Sequence, residues 1–140
     1  IHTDGCCLHN DEEGIRAGYG LYYGPKDSRN NGFRLSSSEP QTNHRVELAA
    51  VLQALVDNPA LPLTICTDSQ YAINCVKVWW EKWEANGYRN TKGKRVENDD
   101  LVRRIVEETN KRRRKSLATD FILVPARSGV TGNQRAKLLA

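Results

Sequence analysis

Several features that mark particular protein classes are missing from this sequence. No apolar run reaches about 18 residues, which argues against a membrane-spanning helix and against a membrane as partner. No charged and then apolar leader precedes a cleavage-like site, so a secreted protein is not expected. Internal repeats, low-complexity tracts and methionine are also absent. Because an open reading frame normally begins with methionine, we expect the chain to be a trimmed domain or a processed piece.

Cysteine is scarce, and its four positions fit no metal-binding or disulfide pattern. Cys6 and Cys7 are adjacent, and the separation of Cys66 from Cys75 matches neither a Cys-x-x-Cys pair nor a Cys/His zinc motif. Buried small apolar side chains are the simplest interpretation of these residues. Unpaired cysteines agree with an intracellular, reducing compartment, and nuclear and mitochondrial locations both stay open.

The residues that are present describe one globular domain with an uneven charge. A chain of 140 residues with 39% hydrophobic residues is enough for a single core. Residues 1–80 carry six basic and nine acidic residues, whereas residues 81–140 carry fifteen basic and eight acidic ones. The C-terminal part can therefore bind a polyanion, although basic surfaces also occur on proteins that bind none.

Alternation of apolar residues, together with turn residues, predicts five strands over 1–7, 15–23, 32–35, 63–67 and 120–124. The turn Asn30-Asn31-Gly32 and the short connections favour an antiparallel meander for the first three strands. The fourth strand is a short run of apolar and β-branched residues, which is typical of a strand buried on both faces.

Helical spacing predicts a first helix over 43–57, with an inner face made of Val46, Ala49, Ala50, Leu52 and Val56. A second helix is expected from 71 to about 86. The residues 98–100 are predicted to cap a third helix, and the basic run 111–115 to complement its dipole. A capping box at 131–134 predicts a short last helix. The order indicates an α/β fold in one domain over 1–140, with a five-stranded mixed sheet flanked by helices.

Three carboxylates stand where structure alone explains them poorly. Asp4 lies in the first strand, Glu47 beside the apolar stripe of the first helix, and Asp68 at the end of the fourth strand. Aspartate is depleted in strands, and an unpaired buried charge is costly. Oxygen ligands without His or Cys favour Mg²⁺ or Mn²⁺, and a two-metal site of this type cleaves phosphodiesters. The alternative stays open that these three residues serve as a turn residue, a half-exposed glutamate and a helix cap.

Three blocks of sequence make the clearest pattern: Thr3-Asp4-Gly5-Cys6-Cys7, Gln41-Thr42-Asn43-His44-Arg45-Val46-Glu47-Leu48 and Thr67-Asp68-Ser69-Gln70-Tyr71. Together they resemble the type 1 ribonuclease H domain of cellular, especially eukaryotic, enzymes. Residues at about 79–98 resemble that family's basic protrusion, and residues 124–133 its C-terminal catalytic loop. The resemblance spans nearly the whole chain. It implies a ribonuclease H-like fold, an RNA/DNA hybrid or other RNA-containing duplex as partner, and Mg²⁺ or Mn²⁺ as cofactor.

The resemblance also implies roles for individual residues. Asp4, Glu47 and Asp68 match three of the family's four metal-binding carboxylates. Contacts to the RNA strand through its 2′-hydroxyls are implied for Asn10, Asn43 and His44, with the backbone near Cys7. Contacts to a DNA phosphate are implied for Thr42 and Asn98.

The DNA channel of the family is matched by Tyr71, Trp79, Trp83 and Thr91. Aromatic faces in such a channel pack against deoxyriboses while neighbouring cations neutralise phosphates. The cations expected to do so here are Lys82, Arg89, Lys92, Lys94 and Arg95. Of the three tryptophans, Trp80 is the one expected to be used for helix packing instead.

Three positions depart from the family's pattern. His44 replaces the usual glutamine, Arg127 stands where the family has a mobile histidine, and Lys137 stands where it has the fourth carboxylate. At about 4 Å and an effective dielectric of about 20, an ammonium is repelled by a divalent cation by roughly 8 kcal/mol. We expect Lys137 to point toward Asp4 or Asp68, leaving a domain that binds but cuts poorly or not at all.

Other interpretations stay open at this point. The last helix can be offset so that Lys137 never faces the site, or the remaining carboxylates and the substrate phosphate can hold enough metal for slow cleavage. Three functions follow: a hybrid-binding domain with impaired or absent cleavage, an active ribonuclease H that cuts the RNA strand of hybrids, and a scaffolding module in a larger RNA-containing assembly. A retrotransposon origin also stays open beside the cellular one.

Overall fold

The structure, a computed structural model, describes residues 2–10, 14–36, 42–90 and 92–124, which form three strands, a helix, a strand, a series of helical segments and a last strand. The strands are β1 (His2–Asn10), β2 (Gly14–Tyr22), β3 (Asn31–Arg34), β4 (Leu63–Thr67) and β5 (Thr119–Leu123). The helices are α1 (Asn43–Asp57), α2 (Gln70–Asn74), a π-helical turn (Cys75–Trp79), α3 (Trp80–Ala85) and α4 (Asp99–Arg114). No helix of this part of the chain is both long enough and apolar enough to cross a membrane.

The strands are hydrogen-bonded in the order β3-β2-β1-β4-β5. The pairs β1–β2 and β2–β3 are antiparallel, whereas β1–β4 and β4–β5 are parallel. The antiparallel and parallel parts are joined through two residue pairs, His2 with Cys66 and Thr3 with Thr67. The predicted α/β class and the antiparallel arrangement of the first three strands are therefore confirmed.

Helix α1 begins and ends where the sequence predicts, but more of its surface is buried than one stripe. The additional buried side chains include Leu48, Val51 and Leu55, whereas Val56, predicted to face inward, is 43% exposed. The reason is that α1 packs against β1 and β2 on one side and against α4 on another, which buries a wide arc of the helix. The assignment of Val56 to the inner face was wrong.

The second predicted helix is confirmed over 70–85, but it contains a π-helical turn that the sequence does not predict. A π turn accommodates one extra residue per turn and is frequent at functional sites. Buried Cys75 begins the turn, as expected of a small apolar cysteine. The alignment that this turn produces is described with the site below.

Both ends of α4 lie where the sequence predicts, with acidic residues in the first turn and basic residues in the last, but one side chain at each end has another partner. Asn98 adopts a left-handed backbone conformation (φ 61°) and its side chain makes no capping hydrogen bond, because its amide donates to the Tyr71 hydroxyl instead. In the basic run, Arg112 is only 3% exposed. Its guanidinium donates to the carbonyls of Asn58, Leu61 and Ala118 and to the Thr119 hydroxyl. The helix predicted at 131–134 lies outside the described residues.

Candidate functional site

The three predicted carboxylates belong to neighbouring elements. Thr3 of β1 pairs with Thr67 of the parallel strand β4, so Asp4, near the start of β1, and Asp68, just after the end of β4, each come one residue after this pair and lie side by side. Helix α1, which carries Glu47, packs against β1. The fold therefore places the backbones of all three residues close together, while the side chain of Asp4 is outside the described part.

Glu47 is held in place by Ser69, a residue that the sequence does not predict for the site. The Ser69 hydroxyl donates to Glu47 Oε2 at 2.5 Å and accepts from the backbone N–H of Ala72, so it also caps α2. Burial raises the pKa of Glu47, and the neighbouring Asp68 charge acts in the same direction, while the Ser69 hydrogen bond and His44 oppose both. A carboxylate destabilised by burial and by a like charge is stabilised by a cation, so this donor set fits a hard divalent metal.

Within the described side chains, no group of three or more His, Cys, Asp or Glu residues could hold a metal ion. The predicted third ligand, Asp4, is not among those side chains. Two other predicted positions, Arg127 and Lys137, and the channel residue Thr91 also lie outside the described residues.

Five rings form a continuous line, here called the aromatic row, which runs from exposed His44 to buried Tyr88. The His44 ring stacks on the Tyr71 ring at 3.8 Å between centroids and an interplanar angle of 7°. Tyr71 meets Trp79 edge-on at 6.3 Å, Trp79 lies 5.6 Å from Trp83, and Trp83 lies 6.5 Å from Tyr88. The predicted channel residues Tyr71, Trp79 and Trp83 are therefore brought together, and Tyr88 is an addition that the sequence does not predict.

The π-helical turn explains why Tyr71 and Trp79 share a face. Side chains eight residues apart in an α-helix point about 80° away from each other, because each residue turns the helix by about 100°. The extra residue of the π turn removes one such step and reduces the angle to about 20°. Trp79, at the end of the turn, then follows Tyr71 along one side of the helix.

The tryptophans are divided between packing and exposure. Trp80 is partly buried against the core, as expected, but Trp83 is partly buried against the core as well. Trp79 remains 37% exposed. Trp79 and Trp83 line one surface groove together with Lys82, Asn86, Arg89 and Asn90. The groove therefore combines an aromatic wall with a basic rim.

The basic loop after α3 is ordered by a small hairpin. The backbones of Arg89 and Arg95 form an isolated antiparallel β-bridge. The backbone N–H groups of Lys92 and Lys94 both donate to Asn90 Oδ1. The side chains predicted to meet phosphates, including Lys82, are exposed. Arg95 differs from the others because it forms an ion pair with Asp99 (2.9 Å), which offsets part of its charge.

The residues predicted to grip a DNA phosphate come from the starts of two helices. Thr42 caps α1 by accepting from the Arg45 N–H at 3.1 Å, and Asn98 precedes α4. The Arg45 guanidinium makes two hydrogen bonds to the Asp100 carboxylate at 2.6 and 2.7 Å, which ties the two helix starts together and holds the pKa of Asp100 below its usual range. Arg45 is not predicted from the sequence, because its partner is 55 residues away.

The residues predicted to meet the RNA strand lie on two elements. Asn43 is exposed in the first turn of α1, next to His44. Cys7 and Asn10 belong to β1, where their backbones pair with Ala17 and Gly14 of β2. The described side chains thus bring His44 to the aromatic row and leave Asn43 beside it.

Comparison of the sequence with known proteins identifies the family. The RNase H family model matches residues 1–140. Ribonuclease H1 of Mus musculus is 35% identical over 143 residues, which covers 100% of this chain and 48% of that protein. Ribonuclease H1 of Homo sapiens is 35% identical, with 100% and 48% covered, and ribonuclease H of Schizosaccharomyces pombe is 35% identical, with 100% and 50% covered. The chain thus spans about half the length of these relatives.

Solved structures support the fold independently. A foamy viral protease-reverse transcriptase in complex with double-stranded DNA matches with a TM-score of 0.80 at 22% identity, covering 99% of this chain and 88% of that chain. The same kind of protein in complex with an RNA/DNA hybrid matches with a TM-score of 0.81 at 21% identity, covering 99% and 19%. With the family model matching its full length, this chain belongs to the ribonuclease H family.

Proposed function

We propose that this domain binds RNA/DNA hybrids, or another RNA-containing duplex, and cleaves the RNA strand poorly or not at all. The observation that carries the binding is the aromatic row beside exposed cations, with Trp79, Trp83, Lys82 and Arg89 lining one groove. Aromatic rings pack against sugars and bases without regard to sequence, and cations neutralise the phosphates beside them. One solved relative of similar fold is described as a complex with an RNA/DNA hybrid, which supports this choice of ligand.

Recognition of RNA rests on the start of α1. Asn43 and His44 are exposed there, next to Tyr71 of the aromatic row. A 2′-hydroxyl both donates and accepts hydrogen bonds, so amide and imidazole groups at this place distinguish RNA from DNA. In this proposal one strand is read at α1 and the other lies along the aromatic row.

Asp4, Glu47 and Asp68 would hold the metal. The ribonuclease H family is generally dependent on divalent metal ions. When bound, Mg²⁺ or Mn²⁺ activates water and stabilises the leaving oxygen of a phosphodiester. Of this chain's own residues, Ser69 orients Glu47 by the hydrogen bond to Oε2. Burial and the Asp68 charge make Glu47 a poor isolated anion, which favours its use as a ligand.

The proposed loss of cleavage rests on two sequence positions. Lys137 replaces the carboxylate that the family resemblance places fourth, and Arg127 replaces the mobile histidine. A lysine beside a divalent cation is repelled by roughly 8 kcal/mol at about 4 Å and a dielectric of about 20. An ion pair between Lys137 and one of the carboxylates would replace part of the charge of a metal, and such a pair is tolerated when both partners are present.

A cleavage assay tests this proposal. An end-labelled hybrid is incubated with the parent domain and Mg²⁺ or Mn²⁺, beside Asp4→Asn prepared in the same way as a control for contaminating nuclease. We expect equal, background-level cleavage by both proteins. Cleavage by the parent that disappears in Asp4→Asn and is as fast as that of Lys137→Asp would contradict the impaired state, whereas slower Asp4-dependent cleavage would mean that the activity is weak rather than absent.

Binding is measured separately, by titrating the same hybrid and a double-stranded DNA of the same sequence at several salt concentrations. We expect tighter binding of the hybrid at every salt concentration. Equal affinities that follow salt alone would mean that the surface is a generic basic patch.

An active ribonuclease H is the second candidate. Three of the four expected carboxylates are kept in the sequence, Glu47 is oriented by Ser69, and the curated relatives are named ribonucleases H. The cleavage assay above decides between the two functions, because an active enzyme shows Asp4-dependent cleavage as fast as that of Lys137→Asp, whereas an impaired domain cleaves more slowly or not at all.

A further inference from the structure

We propose that His44 and Tyr71 act as one binding unit, so that the contact made at the start of α1 and the contact made along the aromatic row are energetically coupled. This inference rests on the proposed function, which assigns the two contacts to the two strands of the duplex. His44 stands where the family resemblance places a glutamine, whose amide could not form the same face-to-face ring contact. The coupling is therefore a property of this chain's own residue.

The geometry of the pair is that of a close stack. The ring centroids are 3.8 Å apart and the planes are inclined by 7°. Aromatic pairs in proteins have centroids about 4.5 to 7 Å apart, so these rings are in full face contact. His44 belongs to α1 and Tyr71 to α2, so the contact joins two helices. Rotation of either ring out of this parallel orientation would break the stacked contact.

Tyr71 is the anchored member of the pair. Its hydroxyl accepts a hydrogen bond from Asn98 Nδ2 at 3.3 Å and is hydrogen-bonded to the Cys75 side chain, and its ring meets the edge of Trp79. Tyr71 is also partly buried against the core. His44, in contrast, is exposed in the first turn of α1. The stack therefore restricts an otherwise mobile side chain by packing it on a fixed one.

This arrangement predicts what each ring contributes. With Tyr71 in place, His44 is already oriented when the RNA-containing strand arrives, so less conformational entropy is lost on binding. Without Tyr71, the same imidazole samples several rotamers and its contact weakens. Once one ring has been removed, removal of the other should therefore raise the dissociation constant by about 3- to 10-fold less than it does in the parent.

A double-mutant cycle tests the coupling. Binding of an RNA/DNA hybrid and of a DNA duplex of the same sequence is measured without added divalent metal, so that no cleavage intervenes, for the parent, His44→Ala, Tyr71→Leu and the double mutant. We expect the double mutant to bind the hybrid about 3- to 10-fold more tightly than the product of the single effects predicts. On the DNA duplex this factor should fall toward one. Additive effects on the hybrid would overturn the inference.

Asn43 provides the matched control. It is exposed beside His44 in the first turn of α1 but is not part of the stack. A cycle of Asn43→Ala with Tyr71→Leu should be additive on the hybrid. Coupling of the same size in this cycle would mean that Tyr71→Leu displaces the whole helix start, and the stack would not be the cause.

Conservative substitutions separate stacking from hydrogen bonding. His44→Phe keeps a ring that can stack on Tyr71 but cannot hydrogen-bond to a 2′-hydroxyl, so it should lose the preference for hybrid over DNA and, with that contact, the coupling. His44→Gln should keep the preference and lose the coupling alone. Tyr71→Phe keeps the ring, so it should keep the coupling to His44. This variant serves as the second test if Tyr71→Leu proves unstable. A His44→Gln protein that shows the parent's coupling would contradict the role of the stack.

The cycle also separates this inference from the proposed function. A parent protein with no preference for hybrid over DNA would refute the proposed function. A parent with that preference but with additive mutants would refute the coupling alone.

Discussion

Replacing Arg112 by methionine should destabilise the domain more than removal of any exposed arginine of the same run. Arg112 is 3% exposed, and its guanidinium donates to three backbone carbonyls and one hydroxyl. These acceptors belong to the end of α1, to the segment before β4 and to the segment leading into β5. One side chain thus ties the connection between α1 and β4, at Asn58 and Leu61, to the start of β5, at Ala118 and Thr119. Methionine keeps much of the length and apolar volume while removing every donor.

The expected size follows from the surroundings of the acceptors. A hydrogen bond to a charged group contributes about 1.5 to 3 kcal/mol, and a buried acceptor left unpaired costs about 1 to 3 kcal/mol. Asn58 is buried, so its carbonyl bears the full cost, whereas Leu61 and Ala118 are exposed residues whose carbonyls water can reach. We therefore expect a loss of about 3 to 4 kcal/mol for Arg112→Met, less than four full penalties.

Urea unfolding followed by tryptophan fluorescence measures this loss. Arg114→Met is the matched control, because it removes the same charge from the same run at an exposed position and should change the unfolding free energy by less than about 0.5 kcal/mol. Arg112→Lys should fall in between, since one ammonium cannot reach all four acceptors. An Arg112→Met protein as stable as Arg114→Met would refute the structural role given to Arg112.

Further predictions concern the helix starts and the basic loop. Arg45→Ala and Asp100→Ala should each destabilise the domain by about 1 to 2 kcal/mol. The double mutant should lose less than the sum of these two values, because both substitutions remove the same ion pair. Urea unfolding of the parent, the two single mutants and the double mutant measures these losses. Fully additive losses would contradict this expectation. The plot of log K for hybrid binding against log salt concentration has a negative slope. Lys94→Ala should make this slope shallower by about 0.9, as expected for one lost phosphate contact. Arg95→Ala should make the slope shallower by a smaller amount, because Asp99 already offsets part of the Arg95 charge. Equal changes of slope would mean that both residues contact phosphates alike.

Local signals explain which elements the sequence predicts well. Helix α1 and strand β4 have the predicted bounds. The start of α1 is marked by Thr42, whose hydroxyl accepts from the Arg45 N–H, and its end by Asn58 and Pro59. Such capping and stopping residues act within one turn of the chain, so they can be read without knowing the fold.

Long-range contacts explain what the sequence does not predict. Asn98 was expected to cap α4, but its amide is drawn to Tyr71, 27 residues earlier in the chain. Arg112 was assigned to the helix dipole, although its partners lie up to 54 residues away. The π-helical turn interrupts a segment whose apolar spacing indicates one continuous helix. In each case tertiary contacts decide between locally acceptable alternatives.

The candidate site shows the same division. The positions of Asp4, Glu47 and Asp68 could be predicted as neighbours because each stands at a recognisable point of a strand or helix. The roles of Ser69 and Arg45 could not, since their partners are 22 and 55 residues away.

The central claim, a ribonuclease H domain whose cleavage is impaired by Lys137 and Arg127, is tested most directly by restoring the carboxylate at position 137. Single-turnover cleavage of saturating hybrid with Mg²⁺ is compared between the parent, Lys137→Asp, and Lys137→Asp combined with Asp4→Asn. We expect Lys137→Asp to cleave at least tenfold faster than the parent, since recovery of about a sixth of the estimated 8 kcal/mol repulsion suffices for that factor. The added Asp4→Asn should abolish the gain. A parent that already cleaves as fast as Lys137→Asp, and loses cleavage in Asp4→Asn, would contradict the account.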